Sequence, residues 1–340
     1  MYRIGIVGAG IRGKMYAQTI QQDQYAELVA ISDTYQPTLD KALELIADEK
    51  VKGFSDFREM IDTCSLDGII VAVPDFLHHD PVIYAAEHKV NILCEKPFST
   101  DVKECEEMLA AVKKNGVVCM VAFENRWNEP MVAMKNYIDT GALGDIINVN
   151  ARLNDKILVP TDMLKWSKGS SVGWFLFPHL LDLIMWYNGG KKVKQVYAVG
   201  TKKVLTRMGL DIYDSIQATV TFEDDTNATM TSSWVLPNSM ALTYDLKMEI
   251  IGEKSTAYIN THDQCVTTYS DHVENLHSIG TPIDGLLIGN SNFMTHHFIN
   301  VLRGAVTLEA TAEKGVYNTK VIAAIHESAA AGGKVIRIEE

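Results

Sequence analysis

Long hydrophobic runs, clusters of basic residues and paired cysteines are all missing from this sequence of 340 residues. Apolar runs such as 69–73 are far too short to cross a bilayer, so no membrane partner is expected. Lys and Arg occur only in short groups such as Lys113-Lys114, and the formal net charge is −12. Nucleic-acid binders need a clustered basic face, so this charge pattern excludes a nucleic-acid partner.

The cysteines are few and scattered, without the spacing of a zinc site or a redox motif. We expect them to be reduced and mostly buried, and we expect no metal site. The five residues are Cys64, Cys94, Cys105, Cys119 and Cys265. The N-terminus enters a strand pattern at once, without the apolar core of a signal peptide, which predicts a cytoplasmic location.

A chain of this length exceeds the usual single hydrophobic core, which predicts two domains. Residues 1–123 alternate short apolar runs with helical periods, the pattern of a parallel sheet with crossover helices. Residues 124–340 contain long stretches of strand-like alternation, including 147–153, 193–205, 215–223, 228–236 and 247–259, which is typical of an antiparallel sheet. The predicted class is α/β, with a Rossmann domain followed by an α+β domain on a mainly antiparallel open sheet, whose last helix is able to pack back on the first domain.

The strongest local motif is a glycine-rich loop between the first strand and the first helix. It reads Gly8, Ala9, Gly10, Ile11, Arg12 and Gly13. Gly8 permits the tight turn, Gly10 lets a pyrophosphate approach the backbone, and Gly13 allows close packing of helix on strand. The helix N-terminus then offers N–H groups to the phosphates. The motif predicts dinucleotide binding.

Asp33 ends the second predicted strand, twenty residues after Gly13 (33 − 13). A carboxylate at this position accepts the ribose hydroxyls of NAD and repels the 2′-phosphate of NADP. The alternative is a solvated turn residue. Arg12 keeps some use of NADP open because it lies near the expected position of that phosphate. The predicted cofactor is NAD.

Several further segments resemble the glucose-fructose oxidoreductase, inositol dehydrogenase and MocA family. The segments are 71–78, Glu95-Lys96-Pro97, 123–130, 138–146 and 325–329. The resemblance spans nearly the whole chain. It implies a Rossmann domain, a second domain that holds the substrate, and hydride transfer to or from sugars, inositols and their derivatives.

Lys96 is the first catalytic residue that the resemblance implies. It follows a parallel strand, at the sheet edge where open α/β sheets bind ligands. Pro97 holds Lys96 out of the helical region. An ammonium group beside the reacting oxygen would stabilise alkoxide character as hydride leaves. The alternative is a surface lysine paired with Glu95.

His179 and Asp182 match the family's His-x-x-Asp and are the other predicted catalytic residues. Pro178 predicts an early helical position, which would place His179 in the first turn, where the helix dipole favours the neutral imidazole of a general base. Asp182 then lies at i+3 on the same face. Phe175 stands where many family members carry an aspartate, so the usual trio is incomplete. The alternative for His179 is a core histidine.

Further residues are predicted to contact the cofactor or the substrate because of the motifs and strand ends near which they lie. Pro74, His78, Glu95 and Lys96 join the cofactor set, although loop structure is the stronger interpretation of His78. The predicted substrate residues are Arg126, Lys156, Trp166, Trp174 and His179.

We therefore predict an NAD-dependent dehydrogenase that acts on a sugar, glycoside, inositol or related polyol, as a homodimer or homotetramer. Two alternatives stay open. One is a sugar- and NAD-responsive binding protein without catalysis, which the Phe175 substitution favours. The other is a dehydrogenase of hydroxy or amino acids, which a substrate pocket dominated by Arg126 and Lys156 would favour.

Overall fold

The computed structural model describes residues 1–261, 267–269, 273–275, 281–283 and 286–338. The helices are α1 (Ile11–Gln21), α2 (Gln36–Ile46), α3 (Phe57–Cys64), α4 (His79–Glu87), α5 (Val102–Asn115), α6 (Glu129–Asp139), α7 (Val172–Tyr187), α8 (Val204–Arg207), α9 (Asn290–Leu302) and α10 (Ala312–Ala330). The strands are β1 (Tyr2–Val7), β2 (Ala26–Ser32), β3 (Lys52–Phe54), β4 (Gly68–Val71), β5 (Asn91–Cys94), β6 (Cys119–Val121), β7 (Ile146–Lys156), β8 (Val193–Thr201), β9 (Ser215–Phe222), β10 (Asn227–Leu236), β11 (Tyr244–Gly252), β12 (Thr256–Asn260), β13 (Thr267–Tyr269), β14 (Val273–Asn275), β15 (Thr281–Ile283), β16 (Leu286–Ile288) and β17 (Ile336–Arg337).

The chain divides into two compact units. The first comprises Met1–Trp127 and Ile279–Thr319, and the second comprises Asn128–Ser278 and Lys320–Glu340. The predicted domains, 1–123 and 124–340, differ from these units, because helix α9 joins the first unit. The physical reason is burial: Met294, Phe298 and Ile299 are fully buried in the same core cluster as the strands of the first sheet.

The first unit is built on a six-stranded sheet in the order β3-β2-β1-β4-β5-β6, with every pair parallel. The apolar runs form its centre because helices cover both faces of such a sheet. Ile4, Ile69 and Leu93, from β1, β4 and β5, are each fully buried. Since all six strands run the same way, the loops after their carboxyl ends leave the sheet at one edge.

Local signals fix the ends of the crossover helices. The Asp101 carboxylate caps α5 by accepting hydrogen bonds from the N–H groups of Lys103 and Glu104, at 2.8 and 3.1 Å. Gly116 ends the helix with φ of +66°, a conformation that glycine adopts without steric cost. The helix therefore begins at Val102, directly after the Asp101 cap.

The second unit is built on a seven-stranded sheet in the order β12-β11-β7-β10-β9-β8-β17. The β7–β10 pair is parallel and the other pairs are antiparallel, which confirms the predicted mainly antiparallel sheet. Along β7, Ala151 and Leu153 are buried while Asn150 and Arg152 are exposed. Helix α7 packs on the sheet against β7, β9 and β10. The predicted strand 193–205 is too long, because Val204 already belongs to α8.

The four cysteines within the described ranges are free and buried, as the scattered spacing predicts, and Cys265 lies outside those ranges. Burial raises the pKa of the Cys105 thiol to about 12 and raises the pKa of Cys94 well above its ordinary value. These thiols therefore stay protonated and unreactive. Across the part of the chain that the structure describes, no helix combines the length and apolar character that a membrane span requires.

Candidate active site

The glycine loop has the geometry that its three glycines predict. Gly8 has φ of +100°, and a Cβ there would lie 2.5 Å from the Ala72 carbonyl oxygen. A Cβ on Gly13 would lie 1.8 Å from the Gly8 carbonyl oxygen. At Gly10, by contrast, an added Cβ meets no heavy atom within 4 Å among the described residues. Two glycines are thus required by packing, whereas Gly10 keeps a space open beside the backbone.

This open space fits the pyrophosphate of NAD. Gly10 is the N-cap of α1, and no side chain from the described residues caps the N–H groups there. These N–H groups and the helix dipole favour an anion. Ile11 is 62% exposed at the start of the helix. The residues that would hold the pyrophosphate are therefore backbone groups of the loop, with Gly10 leaving room for it.

Asp33 follows β2 at the same edge of the first sheet. Its Oδ2 accepts a hydrogen bond from the N–H of Ala9 at 2.8 Å, and its Oδ1 accepts one from the N–H of Tyr35 at 2.8 Å. A carboxylate oxygen can accept a second bond, so both oxygens retain capacity for ribose hydroxyls. The contact with Ala9 also fixes the carboxylate beside the glycine loop.

His78 lies inside the protein, 1% exposed. Its Nδ1 is 2.9 Å from the Pro97 carbonyl oxygen, and its Nε2 is 3.1 Å from the Val73 carbonyl oxygen. The ring therefore connects the loop after β4, which contains Pro74, to the loop that carries Lys96. This placement favours the structural interpretation of His78.

Lys96 is half-buried immediately after β5 and Glu95. Its backbone N–H donates to Glu95 Oε2 at 3.1 Å. Burial lowers the pKa of the Lys96 ammonium, and Arg12 acts in the same direction, while Glu95, Glu124 and Asp75 act against it. Because Glu95 is itself 6% exposed, the pair is more than a surface lysine with a solvated partner.

Arg12 is held by carboxylates. Its Nε lies 2.6 Å from Glu95 Oε1, and its Nη2 lies 2.7 Å from Glu124 Oε2. This differs from the interpretation of Arg12 as a residue near the 2′-phosphate of NADP, because the guanidinium is already committed to two carboxylates.

His179 does not lie in the first turn of its helix, so that prediction is wrong. Helix α7 begins at Val172, and His179 is its eighth residue, 8% exposed. The helix start is set by Ser171, whose Oγ accepts a hydrogen bond from the N–H of Trp174 at 3.1 Å. Pro178 therefore lies inside the helix, where it removes one backbone hydrogen bond. The dipole argument for a neutral His179 falls with the correction.

Phe175, one turn before His179, belongs to an aromatic cluster. Its ring centroid is 6.2 Å from Trp166 and 6.3 Å from Trp234. Trp234 is fully buried, while Phe175 and Trp166 are half-buried. The position at which many family members carry an aspartate is therefore filled by aromatic packing.

Trp174 stacks on His326, with ring centroids 4.7 Å apart. His326 Nδ1 lies 2.8 Å from the Ile322 carbonyl oxygen and must donate to it, so Nε2 accepts from the Ser171 hydroxyl at 2.6 Å. Burial lowers the pKa of His326, although the bond to Ile322 acts against the shift. His326 thus orients both the cap of α7 and Trp174.

The remaining predicted residues are buried in their own units. In the first unit, Arg126 is 6% exposed, and its Nη1 lies 3.5 Å from the Glu309 carbonyl oxygen. In the second unit, Asp182 is 3% exposed. Lys156, at the end of β7, is 9% exposed, and burial lowers its pKa.

Sequence patterns missed several polar residues in these surroundings. Ser171 and Ser291 carry no motif, and Glu124 and His326 lie in segments noted only for their resemblance to the family. Ser171 had one usable signal, because a serine directly before an apolar helical run is a typical N-cap. Ser291 had none, since it lies 279 positions from Arg12, its partner.

Two family models match the chain. The model of the oxidoreductase family with an NAD-binding Rossmann fold matches residues 2–123, and the model of the GFO/IDH/MocA C-terminal domain matches residues 131–258. The chain belongs to the GFO/IDH/MocA family. It is therefore an oxidoreductase with an NAD-binding Rossmann domain, as the glycine loop and Asp33 predicted.

Relatives within this GFO/IDH/MocA family align along most of the chain. The uncharacterized oxidoreductase YrbE of Bacillus subtilis is 29% identical over 254 residues, which cover 74% of this chain and 72% of the relative. A myo-inositol 2-dehydrogenase of Thermotoga maritima is 26% identical over 273 residues, which cover 79% and 78% of the two chains. The crystal structure of a scyllo-inositol dehydrogenase from Lactobacillus casei, with bound NAD(H) and scyllo-inositol, matches with a TM-score of 0.85 at 22% identity over 99% of each chain. At that identity the structural match shows the shared fold.

Proposed function

We propose that this family member transfers a hydride between nicotinamide and a hydroxyl or keto carbon of a sugar, glycoside, inositol or related polyol. One observation carries the proposal: the glycine loop, Asp33 and Lys96 follow β1, β2 and β5 of a single parallel sheet. Open α/β sheets bind ligands at that edge. The inositol dehydrogenase among the relatives favours a polyhydroxylated substrate.

In this proposal, Lys96 acts on the oxygen of the reacting carbinol. The bound cofactor supplies the hydride acceptor in the oxidation direction. As the C–H bond breaks and the carbinol becomes a ketone, the oxygen gains alkoxide character, and the Lys96 Nζ ammonium stabilises it. The charged form of Lys96 is the active one, so its surroundings must keep a cation at this position.

His179 is proposed to take the proton of the same hydroxyl group. A general base must be neutral before the reaction and able to accept one proton. Two observations in the second unit support this role: His179 is buried in α7, and aromatic residues surround the preceding turn of that helix. Asp182, also buried on this helix, is proposed to assist His179, since no aspartate stands at position 175.

The proposed cofactor residues are those of the loop and the strand ends. The loop backbone from Gly8 to Gly13 would hold the pyrophosphate, and Asp33 would accept ribose hydroxyls and repel a 2′-phosphate. Because Arg12 is engaged by Glu95 and Glu124, it does not offset that repulsion. We infer a preference for NAD over NADP.

Four further residues are proposed to contact substrate. Trp166 and Trp174 offer aromatic faces, which pack on the apolar C–H faces of sugar rings. Arg126 and Lys156 offer donors for hydroxyl oxygens, and a substrate carboxylate would also suit them. A response to sugar acids alone would therefore move the substrate class toward the acid dehydrogenases.

The proposal is tested by following NADH formation optically in the purified full chain. The panel contains sugars, glycosides, inositols and sugar acids, each with NAD and with NADP. We expect turnover with NAD, and we expect Lys96→Ala to lower kcat by roughly 10²- to 10³-fold while most of the NADH affinity is retained. Turnover that persists in Lys96→Ala would remove Lys96 from the mechanism.

The rival function is a sugar-responsive binding protein without catalysis. It is distinguished by the same panel: tight NADH binding together with no turnover on any compound would favour the rival. A homodimer or homotetramer and a cytoplasmic location complete the proposal. Light scattering coupled to gel filtration tests the first, and cell fractionation tests the second.

A further inference from the structure

A partly buried ion cluster surrounds Arg12 in the first unit. In addition to its contacts with Glu95 and Glu124, Arg12 donates from Nη1 to Ser291 Oγ and from Nη2 to the Tyr16 hydroxyl, both at 3.0 Å. Four separate segments of the unit supply these groups: α1, the end of β5, the turn at Glu124–Trp127, and α9. The guanidinium therefore has a fixed position.

The hydroxyl groups complete the cluster. Tyr16 donates to Glu95 Oε1 at 2.6 Å, and Ser291 donates to Glu124 Oε2. Tyr16 and Ser291 are fully buried, and the side chain of Glu124 is 12% exposed. Burial raises the pKa of Tyr16 well above its ordinary value, so the phenol stays a donor. Two largely buried carboxylates thus share one guanidinium, whose own side chain is 30% exposed.

Lys96 is connected to this cluster through Glu95. Glu95 Oε1 binds Arg12, and Glu95 Oε2 accepts the backbone N–H of Lys96. The charged groups that act on Lys96 are Glu95, Glu124, Arg12 and Asp75. Arg12 and Lys96 carry two positive charges, and Glu95 and Glu124 carry two negative ones, so the cluster alone is balanced only when both cations are present.

Arg12 stands inside the glycine motif, where the sequence assigns it to the cofactor phosphates, but its contacts give it another role. Burial acts to lower the pKa of Arg12, yet Glu124 and Glu95 outweigh burial and raise that pKa well above its ordinary value. The guanidinium is therefore always charged, and it is already bound to Glu95 and Glu124 before any cofactor binds.

We propose that Arg12 is a positioning residue for Lys96: it holds the carboxylate that fixes the Lys96 backbone, and its charge offsets one of the two glutamates. The proposal deepens the proposed function and rests on it in one respect, the catalytic role of Lys96. It assigns to the glycine motif a second task besides pyrophosphate binding, that of setting the position and charge balance of the lysine after β5.

The test measures how the charge of Lys96 responds to each partner. The full-length protein is labelled with trace acetic anhydride across the alkaline pH range, and acetylation of Lys96 is read by peptide mass spectrometry against a reference lysine peptide. This readout needs no substrate. The variants are Arg12→Met, which removes the cation, Arg12→Lys, which keeps it, and Glu124→Gln, which removes an anion. Arg58→Met, at a surface residue whose side chain is 45% exposed, is the matched control.

The two charge changes should move the labelling midpoint of Lys96 in opposite directions. Loss of a neighbouring cation raises the midpoint, and loss of a neighbouring anion lowers it, each by about one pH unit. Arg12→Lys and Arg58→Met should leave it close to that of the wild type. Midpoints that move the same way in Arg12→Met and Glu124→Gln would overturn the proposal. A simple loosening of the loop shifts the Lys96 midpoint in the same direction in both variants, whereas a charge effect shifts it in opposite directions. If Arg12→Met does not fold, an unchanged midpoint in Glu124→Gln overturns it and a lowered one supports it.

Activity separates the positioning role from the charge role. With the best compound from the panel, Arg12→Lys should lower kcat roughly tenfold to hundredfold, because lysine lacks the planar fork that bonds both carboxylates. The alkaline limb of its pH profile should stay in place, whereas that of Arg12→Met should move upward. Labelling shifts of the expected sign together with full turnover in Lys96→Ala would leave the charge coupling intact and refute only the catalytic role.

Discussion

Lys96 and His179, the two proposed polar catalytic residues, lie in opposite kinds of surroundings. Lys96 follows a strand of the first unit among Glu95, Glu124, Arg12 and Asp75. His179 lies in the middle of an almost entirely apolar helix of the second unit, next to a turn that carries Phe175 in an aromatic cluster. In the first unit, charged neighbours set the environment of Lys96. In the second unit, apolar packing that excludes water sets the environment of His179.

The difference has a physical basis. An ammonium that must stay charged needs compensating carboxylates, because burial alone disfavours the charged form. An imidazole that must start neutral gains from apolar surroundings for the same reason. The two polar groups are therefore expected to respond to different kinds of substitution.

The largest expected effect is at His179 itself. His179→Asn keeps a polar side chain of similar size but removes the base, so kcat should fall by roughly 10²- to 10⁴-fold. NADH affinity, measured by fluorescence titration, should stay unchanged. Full activity in this variant would make His179 a core residue and end the comparison with Lys96.

The glycine loop gives the next effect. Gly13→Ala places a Cβ 1.8 Å from the Gly8 carbonyl oxygen, and such overpacking costs about 1–3 kcal/mol of unfolding free energy. Gly10→Ala meets open space and should change that free energy by less than about 0.5 kcal/mol, yet it should lower NADH affinity, because the methyl group occupies the space for the pyrophosphate. Urea denaturation and NADH titration separate the two variants. Equal losses of stability would contradict the assignment of that space.

Phe175→Asp tests whether the aromatic cluster tolerates the residue that many family members carry. A carboxylate between Trp166 and Trp234 is poorly solvated, and the unfolding free energy should fall by about 2 kcal/mol. Phe293→Asp is the matched control, because Phe293 is 51% exposed, and it should change stability by less than about 0.5 kcal/mol. A Phe175→Asp variant as stable as wild type and faster in turnover would show that the second unit accepts control by charge after all.

The smallest effect is a pH dependence at His326. Burial lowers the pKa of His326 in the folded protein below its ordinary value of 6.5. Below pH 6.5 the unfolded chain therefore binds a proton that the folded protein does not, so stability falls as pH decreases from neutral toward the folded pKa.

His326→Gln should cost about 1 kcal/mol at neutral pH, through loss of the hydrogen bond from Ser171, and should show a flatter decline on acidification. Urea midpoints measured at several pH values report this change in slope. His297, whose pKa burial also lowers, should retain part of the decline. An unchanged slope in His326→Gln would remove His326 as a source of the pH dependence.

Much of the first unit followed from local sequence signals. The first strand, β1, leads into the glycine loop, and Gly8 and Asp33 follow β1 and β2 as predicted. Such features depend on residues within about one strand and one helix of each other. The contact between Asp33 and Ala9 follows from this arrangement, because β1 and β2 are adjacent parallel strands that end at the same edge of the sheet.

In the second unit, local sequence patterns predict the helix boundaries less well. Proline is common at the first helical position, so Pro178 predicts a helix start there, whereas the helix begins at Val172 and contains the proline in its interior. The Ser171 cap, together with burial of the helix against the sheet, outweighs the lost backbone bond. Sequence spacing alone could not weigh these terms, because His326, which holds Ser171, is 155 positions away.

The amino-acid sequence is sufficient to predict the NAD-binding loop, the parallel sheet that positions it, the mainly antiparallel second sheet and the family. These depend on backbone conformation and hydrophobic period, which neighbouring residues set. Folding of distant segments onto one another sets the partners of Arg12, the aromatic surroundings of Phe175 and the membership of α9 in the first unit. These features depend on charged and apolar side chains from distant segments. Burial in the folded chain makes unpaired polar groups costly, so such groups are paired there with partners that the sequence does not reveal.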